Sequence, residues 1–571
     1  MSAPVSISDF KGTIPRVHPR LLPPGFAKRS TNARLNSGRL DGFRRPLQVH
    51  SFGDDVTTVF RDGNTWIGFP LEAHVVRGPV AQDRLYYTQV GSAPKMRVAG
   101  VEYDLALAAP AAAPIVTALS SPDPALISDV LFAYTFVTSF DEESAPSPLS
   151  APLAWSPGVV VRVTGFSAPP AARGVNRIRL YRSQTSALGV TDLYFVAEFP
   201  ASTLQHDHNL NVEPLQEVLP SADYDPPPAT MIGLTSLPNG MMAAFSGREL
   251  LFCEPYRPHA WPVKYRLTVD FRIVGLAAFG SALAILTEGT PYVAQGTAPE
   301  NMTMERMDSN MPCVSRRGIV DLGYAAAYPS NDGLALINAS GVRLVSRNLF
   351  TQRNWRDFRP NEMVAANHDG RYAFTYGAPE PTLINAGTAA TPSPDIFDGG
   401  AAVLTANDFT IYNAGGALQQ GLFQQLGFID LTGEQPFFIT TDGQVNAIPS
   451  ALFQDDLTGD LFILSSDRRG LWLFDAPRQP LSNYAWCSGE IHFPSLQNFG
   501  AVLVESDEQS LALGDLTVTV WAGDRSFSFR PTLNVPTRLP SGFLERRWMI
   551  SVDGAVPVTL LAMAVSISDF D

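Results

Sequence analysis

The sequence predicts an all-β, multidomain protein with a central β-propeller-like core, a fibronectin- or Ig-like β-sandwich and a terminal β domain. Three observations lead there. A hairpin-sized pattern recurs between Gly233 and Asp475. The chain carries 47 Pro and 44 Gly, which punctuate many short elements. No long stretch shows the apolar periodicity of an amphipathic helix.

The recurring pattern is a pair of short apolar runs around a tight turn. Met241–Phe245 and Glu249–Cys253 flank Ser246–Gly247, and Leu283–Leu286 and Pro291–Ala294 flank Glu288–Gly289. Tyr324–Tyr328 and Leu334–Ile337 flank Asn331–Gly333, and further turns fall at His368–Gly370, Ala406–Asp408 and Thr441–Gly443. Glycine accepts the positive φ that such turns demand, so these read as hairpins. With Gly247, Gly289, Gly333, Gly370, Asn407 and Gly443 as centres, the steps are 42, 44, 37, 37 and 36 residues. Propeller blades repeat at about 40–50 residues. The expectation is a propeller-like domain of five or six blades over 226–480.

The other elements follow in order. Residues 1–48 read as a basic, extended N-terminal arm, because Pro15, Pro19, Pro23, Pro24 and Pro46 deny it a helix. Strand-like runs at Thr57–Phe60, Thr65–Phe69 and Arg84–Val90 make 49–124 an N-terminal β region, closed by the Ala/Pro-rich segment Leu107–Pro122. Residues 125–225 carry four runs with partial alternation (Leu131–Thr138, Val159–Val163, Asn176–Tyr181, Leu193–Phe199) and read as a fibronectin type III-like sandwich. Residues 481–571 form a C-terminal β domain, expected to pack with the N-terminal region. Its last residues, Val565–Phe570, repeat the hexapeptide of Val5–Phe10. One reading of the repeat is that both copies fill equivalent edge positions.

Charged residues are 17% of the chain and hydrophobic ones 45%, the balance of a globular protein with large buried surfaces. Three dispersed cysteines with no CxxC spacing imply no disulfide framework and assembly in a reducing compartment. The N-terminus lacks the charged and apolar blocks of a secretory signal, and the most apolar window, Leu105–Leu119, is too short and too broken to span a membrane. These features predict a soluble chain.

The net charge of −14 is unevenly spread. Residues 1–48 hold nine basic groups against Asp9 and Asp41, a balance of +7, so the remainder carries −21. Only four lysines occur, and most of the positive charge is arginine, whose planar fork suits fixed interfaces. Arg16, Arg20, Lys28, Arg29, Arg34, Arg39, Arg44 and Arg45 are the candidate partner-docking residues. They are interleaved with Pro, Gly and Leu, which favours docking to an acidic protein over nucleic-acid contact.

Motifs that carry chemistry are sparse. There is no GxSxG elbow, no HExxH, and no P-loop, since no lysine follows a glycine. His206 and His208 alternate about Asp207 and would share a strand face, but a third ligand is missing nearby, so a polar loop is preferred to a metal site. Asp455–Asp460 lacks the spacing of a calcium loop and reads as a turn. The eight tryptophans are dispersed and read as core or interface anchors. No catalytic residue, cofactor or metal is expected, and the chain is not expected to be an enzyme.

Several segments together resemble the nozzle protein of short-tailed bacteriophages, the family also called tail tubular protein B. They are Phe10–Pro15, Leu21–Ala27, Asn32 and Gly38–Pro46 near the start, and Phe252–Pro262, Leu283–Val293, Cys313–Val320 and Asn331–Leu334 in the middle. Arg538–Gly542 and Trp548–Gly554 complete the set. The resemblance implies a structural virion protein of the phage tail, assembled in the host cytoplasm. It implies a homohexameric tube, docked on an adaptor ring, through which phage DNA passes without sequence-specific binding. Loops such as Pro379–Gly400 would gate the channel, tail fibres or spikes would be neighbours, and the host envelope would be met indirectly. An acidic body fits such a conduit, since basic walls would hold the phosphates. The competing readings are a carbohydrate-binding or adhesion propeller of the virion, which needs clustered exposed aromatics, and a propeller glycoside hydrolase, which needs a carboxylate pair about 5–10 Å apart.

Overall fold

The structure is a computed structural model that describes residues 5–35, 38–81, 83–185, 191–209, 217–377, 424–433, 435–441, 449–507, 515–540, 542 and 544–570. The described chain is almost wholly β, with one short α-helix at Gln352–Asp357. It forms two compact units. One comprises Met1–Pro70, Cys313–Ile337 and Val342–Asp571, and the other Leu71–Pro312 with Asn338–Gly341. The boundary at Pro312 falls inside the 226–480 stretch.

The Leu71–Pro312 unit is built from three four-stranded antiparallel sheets and an inserted sandwich. The first sheet runs Ala73–Arg77, Arg84–Gln89, Lys95–Val98 and Val101–Asp104. The second runs Ile232–Ser236, Met242–Ser246, Glu249–Phe252 and Leu267–Thr268. The third runs Ile273–Phe279, Ala282–Thr287, Tyr292–Gln295 and Thr303–Arg306. Strand Ile232–Ser236 lies beside the first strands of the other two sheets. Ile273–Phe279 alternates between buried and half-buried residues, whereas Ala282–Thr287 is buried on both faces and so reads as an unbroken apolar run. The expected turns are present, but their glycines differ. Gly247 takes φ +64°, whereas at Gly289 an added Cβ would stand 2.6 Å from the Phe271 ring, so close approach explains that glycine.

The sandwich lies between Asp104 and Ile232. Phe132–Thr138 pairs with Val175–Thr185, which pairs with Thr191–Pro200. Ile115–Ala118, Val161–Thr164 and Gln205–His208 form a second sheet. Phe132, Tyr134, Phe136, Trp155, Val161, Val163, Ile178 and Leu180 fill the space between them. The turn after Thr138 sends Glu142 and Glu143 into the unit's interior, where both side chains are buried.

In the other unit, Ala365–His368, Arg371–Gly377, Gln424–Asp430 and Phe437–Thr440 form one meander. Ala451–Gln454, Leu461–Leu464 and Gly470–Leu473 form another, whose fourth strand is Leu47–Ser51 from the N-terminal region. Val320–Asp321, Ala326–Ser330 and Gly333–Asn338 begin a third. The turn at Ala406–Asp408, the segment Pro379–Gly400 and most of Thr441–Gly443 lie outside the described residues.

Residues 1–48 run as short strands paired with distant segments. Val5–Ile7 pairs with Leu560–Ala564, and Ala27–Thr31 sits between Phe437–Thr440 and Tyr484–Ser488. That insertion joins the first meander to the C-terminal strands in a ten-stranded sheet. No α-helix forms among the described residues here, only the short 3-10 turn Pro19–Leu21, and Pro15, Pro19, Pro23 and Pro24 fall between strands, leaving Ala27–Thr31 free to donate its N–H groups. Gly12 permits the threading: an added Cβ there would meet the Phe438 carbonyl oxygen at 2.5 Å. The repeated hexapeptide does not fill equivalent positions. Its first copy supplies a strand, while the second follows directly on that strand's partner and turns into a short 3-10 helix, Ile567–Asp569.

Candidate docking surface

Of the eight basic residues singled out, the structure holds three in ion pairs and a fourth, Arg44, by hydrogen bonds. Arg29 meets Asp553 at 2.8 Å. Arg34 meets Asp475 at 3.4 Å, and the same carboxylate accepts the backbone N–H of Arg44 at 2.6 Å. The Arg44 guanidinium donates to the Gln479 carbonyl at 3.1 Å. Arg39 meets Asp41 at 2.7 Å and Asp507 at 3.5 Å. Its hydrogen bond to Asp41 raises the Arg39 pKa above the ordinary guanidinium value, although partial burial works against it. Burial pushes the Asp553 carboxyl up, with Arg29 pulling the other way. These contacts tie the N-terminal strands to their neighbours and use up donors that a partner would need.

The remaining four are exposed. Arg16 donates to the Arg347 carbonyl at 2.9 Å, and the Lys28 ammonium lies 4.0 Å from the Met549 sulfur. Arg20 and Arg45 have no carboxylate partner among the described residues. Arg20 lies in the turn Pro19–Leu21, beside Leu21, which is 72% exposed. Main-chain hydrogen bonds anchor the backbone on which these side chains sit. The Pro19 carbonyl accepts from Glu490 N–H, and Arg45 N–H donates to the Pro480 carbonyl. The candidates that remain exposed and outside any carboxylate contact among the described residues are therefore Arg16, Arg20, Lys28 and Arg45. Sequence alone marked all eight alike, because spacing does not reveal which carboxylates arrive from 431–524 residues away.

The other candidate residues resolve as structural. The His206 ring stacks on Phe199 at 4.8 Å and His208 packs near Phe132 at 5.9 Å, while Asp207 pairs with Arg162 at 2.8 Å. Burial lowers both histidine pKa values, that of His208 to about 4. Among the described residues no group of three or more His, Cys, Asp or Glu is placed to hold a metal ion. Asp455 accepts from Leu457 N–H, Thr458 Oγ1 and Arg61, so it closes its own turn. Burial pushes its carboxyl up, but those donors outweigh it and the net shift is downward. None of the eight tryptophans is exposed; Trp261, Trp355, Trp486 and Trp548 are among the most deeply buried side chains. The sequence reading gave no role to Glu142 and Arg173, which form a buried pair at 2.5 Å.

The fold class is thus an all-β protein of several sheets. No protein-family model matches the chain, and no curated protein matches it. Among solved structures, it is similar to an ancestral GH74 enzyme at 10% identity and a TM-score of 0.27, over 80% of this chain and 51% of the enzyme. The match spans about half of that enzyme's length. The N-terminal domain of Nup159 is similar at 7% identity and a TM-score of 0.21, over 52% of this chain and 86% of that domain.

Proposed function

We propose that this chain is a structural virion protein, the nozzle of a short phage tail, which forms the distal DNA-ejection channel and docks on the adaptor ring. The observation that carries the reading is where the nozzle-like segments lie. Phe10 is buried edge-on to Trp486, and Trp548–Gly554 falls within the central strand Glu545–Gly554. Leu283–Val293 and Asn331–Leu334 span hairpins, and Trp261 is sealed in its turn by a hydrogen bond to the Pro258 carbonyl. The resemblance therefore falls on framework positions, as expected for a protein whose work is to hold a shape. The acidic remainder of the chain suits a wall along which DNA slides. The exposed Arg16, Arg20, Lys28 and Arg45 supply the positive groups for the adaptor, and the chain acts without catalysis.

The test is to locate the chain in native particles by antibody labelling. Label at the distal end of the tail supports the reading. Label on the capsid, or on peripheral fibres alone, rejects it and favours an adhesion role.

A further inference from the structure

We propose that Glu142, Arg173 and His259 form an acid-labile latch that seats the inserted sandwich on its own unit and releases it when His259 gains a proton. This inference is independent of the nozzle reading.

The latch joins three separate stretches of the Leu71–Pro312 unit. Glu142 and Glu143 come from the turn after strand Phe132–Thr138, and Arg173 from the short 3-10 helix Ala171–Arg173. His259 comes from the turn that follows Glu249–Phe252 in the second sheet. All four are at most 5% exposed. Arg173 Nη2 donates to Glu142 Oε2 at 2.5 Å, and His259 Nδ1 stands 3.8 Å from Glu142 Oε1. His259 Nε2 lies 3.0 Å from the Glu143 carbonyl oxygen, which can only accept, so Nε2 carries a proton. The Glu143 carboxylate is engaged elsewhere, by Thr135, Arg179 and Tyr181.

The surroundings disfavour a second buried cation. The positive charges of Arg173 and of Arg257, from the same turn, oppose a proton on His259 and the Tyr224 ring packs edge-on at 5.8 Å, while Glu142 Oε1, 3.8 Å from Nδ1, is the carboxylate that would attract it. From the first sheet, Tyr86 and Arg84 face Glu142, and the Arg84 cation lies over the Phe140 ring at 5.1 Å. With His259 neutral, the Arg173–Glu142 pair is balanced. Burial, then Arg173, depress the His259 pKa to about 3. A histidine held neutral in the closed state and free to charge in the open one favours opening as pH falls below its ordinary value near 6.5. Burial raises the Glu142 pKa, so its own proton uptake works in the opposite sense and must be separated experimentally.

Hydrogen–deuterium exchange of the full chain at pH 7 and pH 5, corrected for intrinsic rates, makes that separation. The reporter is the segment 139–145, and the reference is the hairpin Ala282–Gln295. In the wild type, segment 139–145 should lose protection in acid relative to the reference. The acid-induced opening in wild type should exceed that in His259→Gln by about twentyfold, taking the ordinary value near 6.5 for the open state. Gln keeps a donor for the Glu143 carbonyl but cannot titrate, and Glu142 cancels from the ratio. His208→Gln, which removes the other deeply buried histidine of the same unit, should retain the wild-type response. Segment 139–145 gaining no exchange in acid in the wild type overturns the latch whether or not the variant folds. An equal acid response in wild type and His259→Gln overturns it as well.

Discussion

Replacing Phe10 by alanine tests whether the N-terminal segment is an integral part of its unit. Phe10 is 1% exposed, its ring stands edge-on to Trp486 at 5.0 Å, and the Trp486 indole donates to the Lys11 carbonyl at 3.0 Å. Deleting a buried phenyl ring typically costs about 3–5 kcal/mol, combining lost transfer energy with the cavity left behind. The edge-on aromatic contact, worth about 0.5–1.5 kcal/mol, places Phe10→Ala toward the upper half of that range. Leu21→Ala, eleven residues on but 72% exposed, should shift stability by less than about 0.5 kcal/mol. Because a chain of several units need not unfold in one step, the assay should be pulse proteolysis across a urea series, with fragments assigned by mass. The cleavage midpoint for residues 484–564 should move to markedly lower urea in Phe10→Ala and stay in place in Leu21→Ala. A loss below about 1 kcal/mol in Phe10→Ala would refute the argument that Val5–Thr31 is woven into the C-terminal strands.

The remaining predictions concern charge. Asp430→Ala should destabilise its unit by about 3–5 kcal/mol, since it removes the buried carboxylate that pairs with the buried Arg371 at 2.7 Å. A paired Arg371→Met, Asp430→Leu variant should recover most of that loss in the same urea series. His208 is buried and its pKa is depressed to about 4, so its contribution is complete above pH 6.5 and is lost as pH falls toward 4. The loss by pH 4 is at most about 3 kcal/mol, and His208→Gln should flatten that part of the stability–pH curve. Reversing Arg16, Arg20 and Arg45 to Glu should leave the melting temperature within about 2 °C, as expected for exposed groups, while blocking tail completion in particles. Arg34→Glu should instead lower stability by placing a second carboxylate against Asp475. Complete tails from the triple variant would remove the docking role.

Much of the sheet architecture is legible in the sequence because hairpins are local. Met242–Ser246 with Glu249–Phe252, and Ala365–His368 with Arg371–Gly377, announce themselves by apolar runs around Gly247 and Gly370. Pairings between distant segments are not announced. Nothing within residues 27–51 signals that Ala27–Thr31 will meet Tyr484–Ser488, or that Leu47–Ser51 will complete the sheet of Ala451–Leu473. The basic residues of 1–48 were legible as a local charge excess, but their division into paired and exposed groups depends on Asp475, Asp507 and Asp553. Glu142 and Arg173 escaped notice because a buried ion pair has the same sequence appearance as an exposed one.

The most direct measurement is an electron cryomicroscopy reconstruction of the native particle, with the mass of the complex this chain forms. The account predicts a sixfold tube coaxial with a short tail, with a mass of about 371 kDa from six copies of 61.8 kDa. A peripheral position, or a symmetry other than sixfold, would contradict it.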